Sequence, residues 1–264
     1  METKINSKFA VRHDKRGGHS YYLNDIRIPG VTTILSTISK PALVNWAKKE
    51  AIGLVEKHLR ARMGENLIID EDYISQTCLA GIAEPDRIKG EAANLGKKAH
   101  LAISKILNGE SPGDLTGIEI VIESFLKWKN SNPFQVIKFE LPLHSETYRF
   151  AGTIDVIGKG NDGNCFVGDW KTSKSVWPEM ALQVAAYIYL ANSNRVAPDL
   201  IKKGYIFHIG KNSVEFNVYE IKDVAGMIDG FLECKQLYDS LKKIELVKSS
   251  LSNANVLENG GIKK

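Results

Sequence analysis

The chain has 264 residues, of which 43% are hydrophobic and 25% charged, an ordinary globular composition that excludes a wholly disordered protein. Its apolar runs are far shorter than a membrane span and no apolar signal segment follows Met1, so we expect a cytoplasmic protein without membrane association. The three single cysteines exclude a disulfide framework and a paired-cysteine zinc site, and the net charge is only +4.

Residues 1–90 predict a small hairpin followed by helices. Two short segments between Val11 and Ile28 flank a turn at Asn24-Asp25, which is typical of a β-hairpin. Pro29-Gly30 ends this region. The residues that follow predict three helices, over Val31–Leu35, Pro41–Arg62 and Asp70–Ala80.

Residues 91–245 change from a helical period to a strand period. Apolar residues recur at helical spacing over Glu91–Leu107 and Ile118–Lys129, and beyond Pro133 the hydropathy alternates at every second residue. This part predicts three strands, a helix, two strands and a helix, over Val136–Leu141, Tyr148–Ile157, Cys165–Lys171, Pro178–Ala191, Tyr205–Ile209, Val214–Tyr219 and Val224–Leu241. Residues 246–264 are polar and predict a flexible tail. We expect an α/β (α+β) fold with a central sheet flanked by helices and a helical N-terminal addition.

The positive charge is confined to the first hundred residues. Residues 1–100 carry 16 basic against 12 acidic side chains, whereas residues 101–264 carry 19 of each. Within the second predicted helix, Lys48, Lys49 and Arg60 are candidates for binding nucleic-acid phosphates. A solvated helix face explains the same charges, so charge alone leaves both interpretations open.

Two carboxylates and an ammonium are predicted to meet at the ends of two neighbouring strands. Asp155 lies in one predicted strand, and Asp169-Trp170-Lys171 ends the next. Since residues i and i+2 of a strand face the same way, Asp169 and Lys171 share a face while Trp170 points to the other. If the two strands pair through the turn between them, Asp155 lies beside the face with Asp169 and Lys171.

These side chains are suited to a divalent metal site. Carboxylates that lie close together repel each other unless a cation neutralises them, and hard oxygen ligands favour Mg²⁺ or Mn²⁺. A lysine beside such an ion can assist a water and stabilise charge on phosphorus. A D-x-K tripeptide alone is more often a surface ion pair, but the preceding Gly152–Asp155 segment and the strand context favour the catalytic interpretation.

Three segments of this region together resemble the PD-(D/E)XK nuclease superfamily. They are Gly152-Thr153-Ile154-Asp155, Asp169-Trp170-Lys171-Thr172-Ser173 and Gln183-Val184-Ala185-Ala186-Tyr187. Their order is similar to the RecB-type exonuclease branch, which includes the mitochondrial genome maintenance exonuclease and its phage and bacterial relatives. A weaker resemblance extends to residues 91–108 and to Ile28–Leu35. The resemblance as a whole implies a restriction-endonuclease-like nuclease core in residues 91–245. It also implies a DNA-guiding element in residues 1–90.

The resemblance implies roles position by position. Asp155 and Asp169 match metal-binding acids of the superfamily, and Lys171 matches the catalytic lysine. Gln183 and Tyr187 match a Q-x-x-x-Y helical element that flanks the active site. Their spacing of four residues places both on one face of a helix.

Further residues have weaker support. Gly96–His100 resembles a G-x-x-x-H element whose histidine is a metal ligand, although an inward histidine can also be a core residue. The carbonyl of Trp170 matches another metal ligand. Glu140 is either an acid that supports the site or an alternating strand residue, and the sequence favours the latter. Some relatives hold an iron–sulfur cluster with four cysteines, and with three cysteines this chain is predicted to hold none.

The expected function is a Mg²⁺- or Mn²⁺-dependent exonuclease that hydrolyses DNA phosphodiester bonds. The resemblance implies action on single-stranded DNA or DNA ends in replication, recombination or repair. Two alternatives stay open, a site- or structure-specific endonuclease on the same core and a non-cleaving nucleic-acid-binding module of nuclease fold. The presence of Asp155, Asp169 and Lys171 favours cleavage, because degenerate modules usually lose one of these residues.

Overall fold

A computed structural model describes the fold over residues 8–13, 19–65 and 67–251. The N-terminal part forms a three-stranded antiparallel sheet of β1 (Phe9–His13), β2 (His19–Leu23) and β3 (Ile26–Ile28). The predicted hairpin is confirmed as β2 and β3, with β1 as an added strand. Asn24 and Asp25 both have positive φ, the backbone conformation of a two-residue hairpin turn.

Four helices follow, α1 (Val31–Leu35), α2 (Pro41–Gly64), α3 (Glu71–Leu107) and α4 (Glu119–Ser131). The prediction of two separate helices over 70–80 and 91–107 is wrong, because α3 is one continuous helix of 37 residues with Pro85 inside it. Thr77, Gly81 and Pro85 are buried at a spacing of four residues, and Gly81 lies directly against Ala51 of α2. This packing outweighs the loss of the helical hydrogen bond that proline cannot donate.

The core is a five-stranded mixed sheet in the order β4 (Gln135–Ser145), β5 (Phe150–Lys159), β6 (Cys165–Lys171), β7 (Lys203–Ile209) and β8 (Phe216–Glu220). β6 and β7 run parallel and are joined by the crossover helix α5 (Pro178–Ser193), whereas the other neighbours are antiparallel. The pairing of β5 with β6 ends at Val156 and Gly168, and the first half of β5 pairs with β4 and, through an isolated bridge at Ala151, with Gly30. The two strands therefore separate beside Asp155 and Asp169.

Helices cover both faces of this sheet. α1, α5 and the last helix, α6 (Val224–Leu251), pack on one face around Val167 and Ile188. α4 and the C-terminal half of α3 pack on the other face around Phe125 and Trp170. The expected fold class, a mixed central sheet flanked by helices with an N-terminal addition, is confirmed. Among the described helices, none combines the length and apolar character needed to cross a membrane.

Two element boundaries lie well beyond their predicted positions. β4 continues past Leu141 through Pro142 to Ser145, which is possible because β4 is an edge strand and needs no N–H from proline on its open side. α6 continues past the predicted end at Leu241 to Leu251. The rest of the predicted tail lies outside the described residues.

The contact between α2 and α3 generates a stability prediction at two helical glycines. A Cβ at position 81 would stand 2.9 Å from the Ala51 carbonyl oxygen and 2.6 Å from a Val55 methyl group, whereas a Cβ at position 53 would meet nothing within 4 Å. Gly81→Ala is expected to lower the free energy of unfolding by about 1–3 kcal/mol through overpacking. Gly53→Ala is the matched control, expected to raise it by about 0.5–1 kcal/mol because alanine favours the helix.

Denaturant unfolding followed by circular dichroism measures both glycine variants. An equal stabilisation by the two substitutions would contradict close packing of α2 on α3.

Candidate active site

Asp155 lies at the point where β5 and β6 separate. Its carboxylate is buried, and Oδ2 accepts a 2.8 Å hydrogen bond from the backbone N–H of Trp170. This bond bridges the two strands beyond their last backbone pair and ties Asp155 to the end of β6. The structure therefore contains the predicted convergence of Asp155 with Asp169 and Lys171.

Asp169 stands at the centre of a connected group of side chains. The ammonium of Lys171 contacts its Oδ2 atom, while the Gln183 amide donates a 3.1 Å hydrogen bond to its Oδ1 atom. The same Gln183 nitrogen lies 2.9 Å from the Tyr187 hydroxyl. Because Gln183 and Tyr187 share one face of α5, this helix orients the Asp169 carboxylate from the side. The structure brings all four predicted residues together.

His100 reaches the same place from α3. Its Nε2–H donates a 2.9 Å hydrogen bond to the Trp170 carbonyl, and its Nδ1 lies 3.5 Å from Oδ2 of Asp155. The bond to the carbonyl fixes the ring so that Nδ1 faces the carboxylates. The side chain is 27% exposed, so His100 is not a core histidine. The Trp170 carbonyl, predicted as a metal ligand, lies at this junction and accepts the His100 bond.

Glu140 also belongs to this cluster, contrary to the interpretation that the sequence favoured. Phe139 pairs with Val156 and Leu141 with Ile154, so the register of β4 against β5 brings Glu140 to the level of Asp155. One possible ligand atom from each of His100, Glu140 and Asp155 lies within 4.8 Å of the other two. Hydropathy alternation could not identify Glu140, because the signal lies in the pairing register.

The charges of these side chains depend on one another. Burial raises the pKa of the Asp169 carboxyl to about 6, although the Lys171 ammonium opposes the shift. Burial and the charge of Asp155 also raise the pKa of Glu140. Burial disfavours a charged His100, but the carboxylates of Asp155 and Asp169 outweigh it and raise the pKa of His100 to about 9. Burial likewise opposes a charged Asp155, yet His100 and Lys171 lower its pKa.

The donor set fits a hard divalent cation. The carboxylate oxygens of Asp155, Asp169 and Glu140 match the ligand preferences of Mg²⁺ and Mn²⁺, and His100 would add an imidazole nitrogen once it has lost its proton. Oδ2 of Asp169 is buried and has an ion-pair contact with Lys171 but no well-directed hydrogen bond. A metal ion bound at this oxygen would replace or share the contact with the Lys171 ammonium.

Tight packing supports the cluster on both sides. The Trp170 side chain is only 1% exposed and stacks on Phe207 at 4.6 Å on the sheet face opposite the carboxylates. The Tyr187 ring lies so close to Gly152 that a Cβ there would stand 2.6 Å from it. Gly152 of the Gly-Thr-Ile-Asp segment is therefore required for the approach of Tyr187 to the site.

The predicted nucleic-acid-binding residues lie apart from this cluster, on α2. Lys48 and Lys49 are exposed, and Arg60 is exposed but paired with Glu56. The residue before this helix, Lys40, lies 2.8 Å from Glu179 in the first turn of α5. α2 thus begins beside the helix that carries Gln183.

Comparison with known proteins places the site in a family context. Residues 115–246 match the family model of the PD-(D/E)XK nuclease superfamily, a span that includes Asp155, Asp169, Lys171, Gln183 and Tyr187 but not His100. No curated protein sequence matches the chain significantly.

Solved structures that are similar to this chain include those of SSO0001 and of an alkaline exonuclease. The structure of SSO0001 is 18% identical in sequence, with a TM-score of 0.33, and the match covers 75% of this chain and 86% of that chain. The alkaline exonuclease LHK-Exo from Laribacter hongkongensis is 12% identical with a TM-score of 0.32, covering 60% of this chain and 87% of that chain.

The geometry predicts which carboxylates hold a divalent ion. Asp155→Asn is expected to weaken Mn²⁺ binding by at least about tenfold, and Glu140→Gln by about tenfold, because each removes a negative oxygen donor. Isothermal titration calorimetry with Mn²⁺ measures both. Glu123→Gln, which changes an exposed acid of α4 paired with Lys127, is the control and should bind Mn²⁺ like the unmodified protein. Equal affinity in all three variants would contradict the site.

Proposed function

The chain belongs to the PD-(D/E)XK nuclease superfamily, and from this premise we propose that it is a Mg²⁺- or Mn²⁺-dependent DNA exonuclease. The observation that carries the proposal is the convergence of Asp155, Asp169 and Lys171 at the diverging ends of β5 and β6. Superfamily membership supports a nuclease that acts on nucleic acid. Exonuclease action on single-stranded DNA or DNA ends, in replication, recombination or repair, is inferred from the RecB-type pattern between Phe150 and Tyr187.

The residues that would hold one or two divalent ions come from four elements. Glu140 of β4, Asp155 of β5 and His100 of α3 bring their donor atoms together, and the Trp170 carbonyl lies next to His100. Asp169 of β6 would add a carboxylate, and His100 would bind an ion as the neutral imidazole, so binding would release its proton. A bound divalent ion supplies Lewis-acid activation of a water and of the phosphate. The chain itself contributes preorganisation, because the strand-bridging bond to Asp155 and the Gln183 bond to Asp169 fix both carboxylates.

The charge of Lys171 defines its role in the proposed reaction. Burial disfavours its charged form, but the carboxylates of Asp169 and Asp155 outweigh burial and raise its pKa. Lys171 is therefore an ammonium at neutral pH, which donates hydrogen bonds rather than accepting a proton. In this proposal it orients the attacking water and stabilises the negative charge that develops on the phosphate oxygens.

Gln183 and Tyr187 act on the reaction through Asp169. The Gln183 amide contacts both Asp169 and Tyr187, so it selects one orientation of the carboxylate. Burial and the charge of Asp169 raise the pKa of the Tyr187 phenol well above its usual range, so this hydroxyl stays protonated. We infer that the pair positions Asp169 and does not exchange protons with the substrate.

The basic helix α2 is the proposed path for the DNA strand. Lys48 and Lys49 are exposed, so they can contact phosphates without breaking an ion pair given by the structure. Arg60 must first leave Glu56, which reduces its contribution.

Digestion of end-labelled single- and double-stranded oligonucleotides in Mg²⁺ tests the proposed function. Lys171→Ala and Asp169→Asn are expected to lower the rate by at least about 100-fold, because each removes a group that acts on the reacting phosphate or its ion. Chelation with EDTA should abolish cleavage. The control is Lys203→Ala, since Lys203 pairs with Asp162 at the opposite end of the β6–β7 pair and should not affect the rate.

Full activity in the Lys171→Ala or Asp169→Asn protein would contradict the catalytic assignment. Cleavage of closed circular DNA as fast as linear DNA would instead identify an endonuclease on the same core.

The proposed path along α2 predicts a change in salt dependence. Replacing both Lys48 and Lys49 with alanine is expected to weaken binding of single-stranded DNA and to reduce its logarithmic salt slope by about 1.4. Arg60→Ala should have a smaller effect because of Glu56. Fluorescence anisotropy in EDTA across a salt series measures the slope. The matched control replaces the adjacent lysines Lys242 and Lys243 of α6. An unchanged slope in the α2 variant would remove α2 from the DNA path.

A further inference from the structure

Trp177 is an exposed aromatic side chain beside the candidate active site. It is 46% exposed, whereas Trp170 is 1% exposed and Trp46 and Trp128 are half-buried. An exposed tryptophan ring presents a large apolar face that a ligand can cover. Trp177 lies in the connection between β6, which carries Asp169 and Lys171, and α5, which carries Gln183.

The connection that presents Trp177 is held by hydrogen bonds. His208 of β7 donates a 2.7 Å bond from Nε2 to the Ser173 carbonyl, and the Ser173 hydroxyl donates a 2.7 Å bond to the Ser175 carbonyl. The backbone N–H of Met180 donates a 3.0 Å bond to the Trp177 carbonyl at the start of α5. A ring on a braced loop loses little conformational freedom when a ligand packs on it, which favours binding.

The position of Trp177 places it near the reacting phosphate of the proposed nuclease. Gln183, which contacts Asp169, is six residues farther along α5, a distance of about 9 Å along the helix axis. Lys174 in the same connection is exposed. The ion pair of Lys40 with Glu179 also brings the start of the basic helix α2 to this end of α5.

We propose that Trp177 is a stacking platform for a nucleobase of single-stranded DNA, close to the phosphate that is cleaved. This inference rests on the proposed function and specifies how the substrate is held. The exposed Trp177 ring lies in the same connection as Lys174, at the end of α5 where α2 begins. It offers an aromatic face to a nucleobase, and these cations are available to the DNA backbone, which is the combination that binds single strands without sequence preference. Trp177 is a positioning residue that touches substrate away from the reacting atoms.

Binding of a fluorescein-labelled 12-residue oligothymidine in EDTA tests the platform without cleavage. Trp177→Ala is expected to weaken binding about tenfold, the loss of one base–aromatic stack, while Trp177→Phe retains binding within about threefold. Unlabelled oligothymidine should quench the tryptophan fluorescence of the unmodified protein, and Trp177→Phe should remove this quenching while still binding. Leu200→Ala, at an exposed position before β7 and at the opposite end of that strand from His208, is the control and should bind normally.

An oligothymidine ladder with one abasic site at successive positions provides a second test on the unmodified protein. At one position in the ladder, the abasic site should weaken binding to the unmodified protein about tenfold. The Trp177→Ala protein should bind that abasic oligothymidine as weakly as it binds the intact one, because the stack is already lost. Equal affinity of Trp177→Ala and the unmodified protein, or an additive abasic effect, would overturn the platform while leaving the nuclease proposal intact. An unmodified protein that neither binds nor cuts DNA would instead overturn the proposed function.

Discussion

The balance of charge at the end of β6 is the interaction on which the rest of the site depends. The carboxylates of Asp155 and Asp169 are both buried in the site, and Glu140 lies close to Asp155. Burial makes the two aspartates costly to ionise without a nearby cation. Lys171 and His100 supply opposing charges, and both have raised pKa values because burial is outweighed by the carboxylates of Asp155 and Asp169. Four elements of the fold converge to create this balance, because His100 comes from α3, Glu140 from β4, Asp155 from β5, and Asp169 and Lys171 from β6.

Part of this site could be predicted from the sequence because its residues are close along the chain. Asp155 and Asp169 lie on successive strands joined by a short turn, so strand alternation and antiparallel pairing suffice to bring them together. Lys171 follows from the same alternation. Gln183 and Tyr187 follow from helical periodicity, since their spacing places them on one face of α5. The family resemblance added roles to these positions.

The remaining features depend on contacts between distant segments. Glu140 joins the cluster through the register of β4, and the pairing of that strand is irregular between Val136 and Lys138, which alternation does not reveal. α3 continues through Pro85 because Gly81 packs on α2, a tertiary contact that overrides local propensity. The exposure of Trp177 likewise depends on a loop that is braced by His208 from a later strand.

The central claim is that the diverging ends of β5 and β6 form a divalent metal centre. Anomalous diffraction from crystals grown with Mn²⁺, collected at the manganese absorption edge, tests this claim most directly. We predict an anomalous peak in contact with the carboxylates of Asp155 and Asp169. The absence of an anomalous peak at these residues at a saturating Mn²⁺ concentration would contradict the claim. A peak only elsewhere on the protein would contradict it as well.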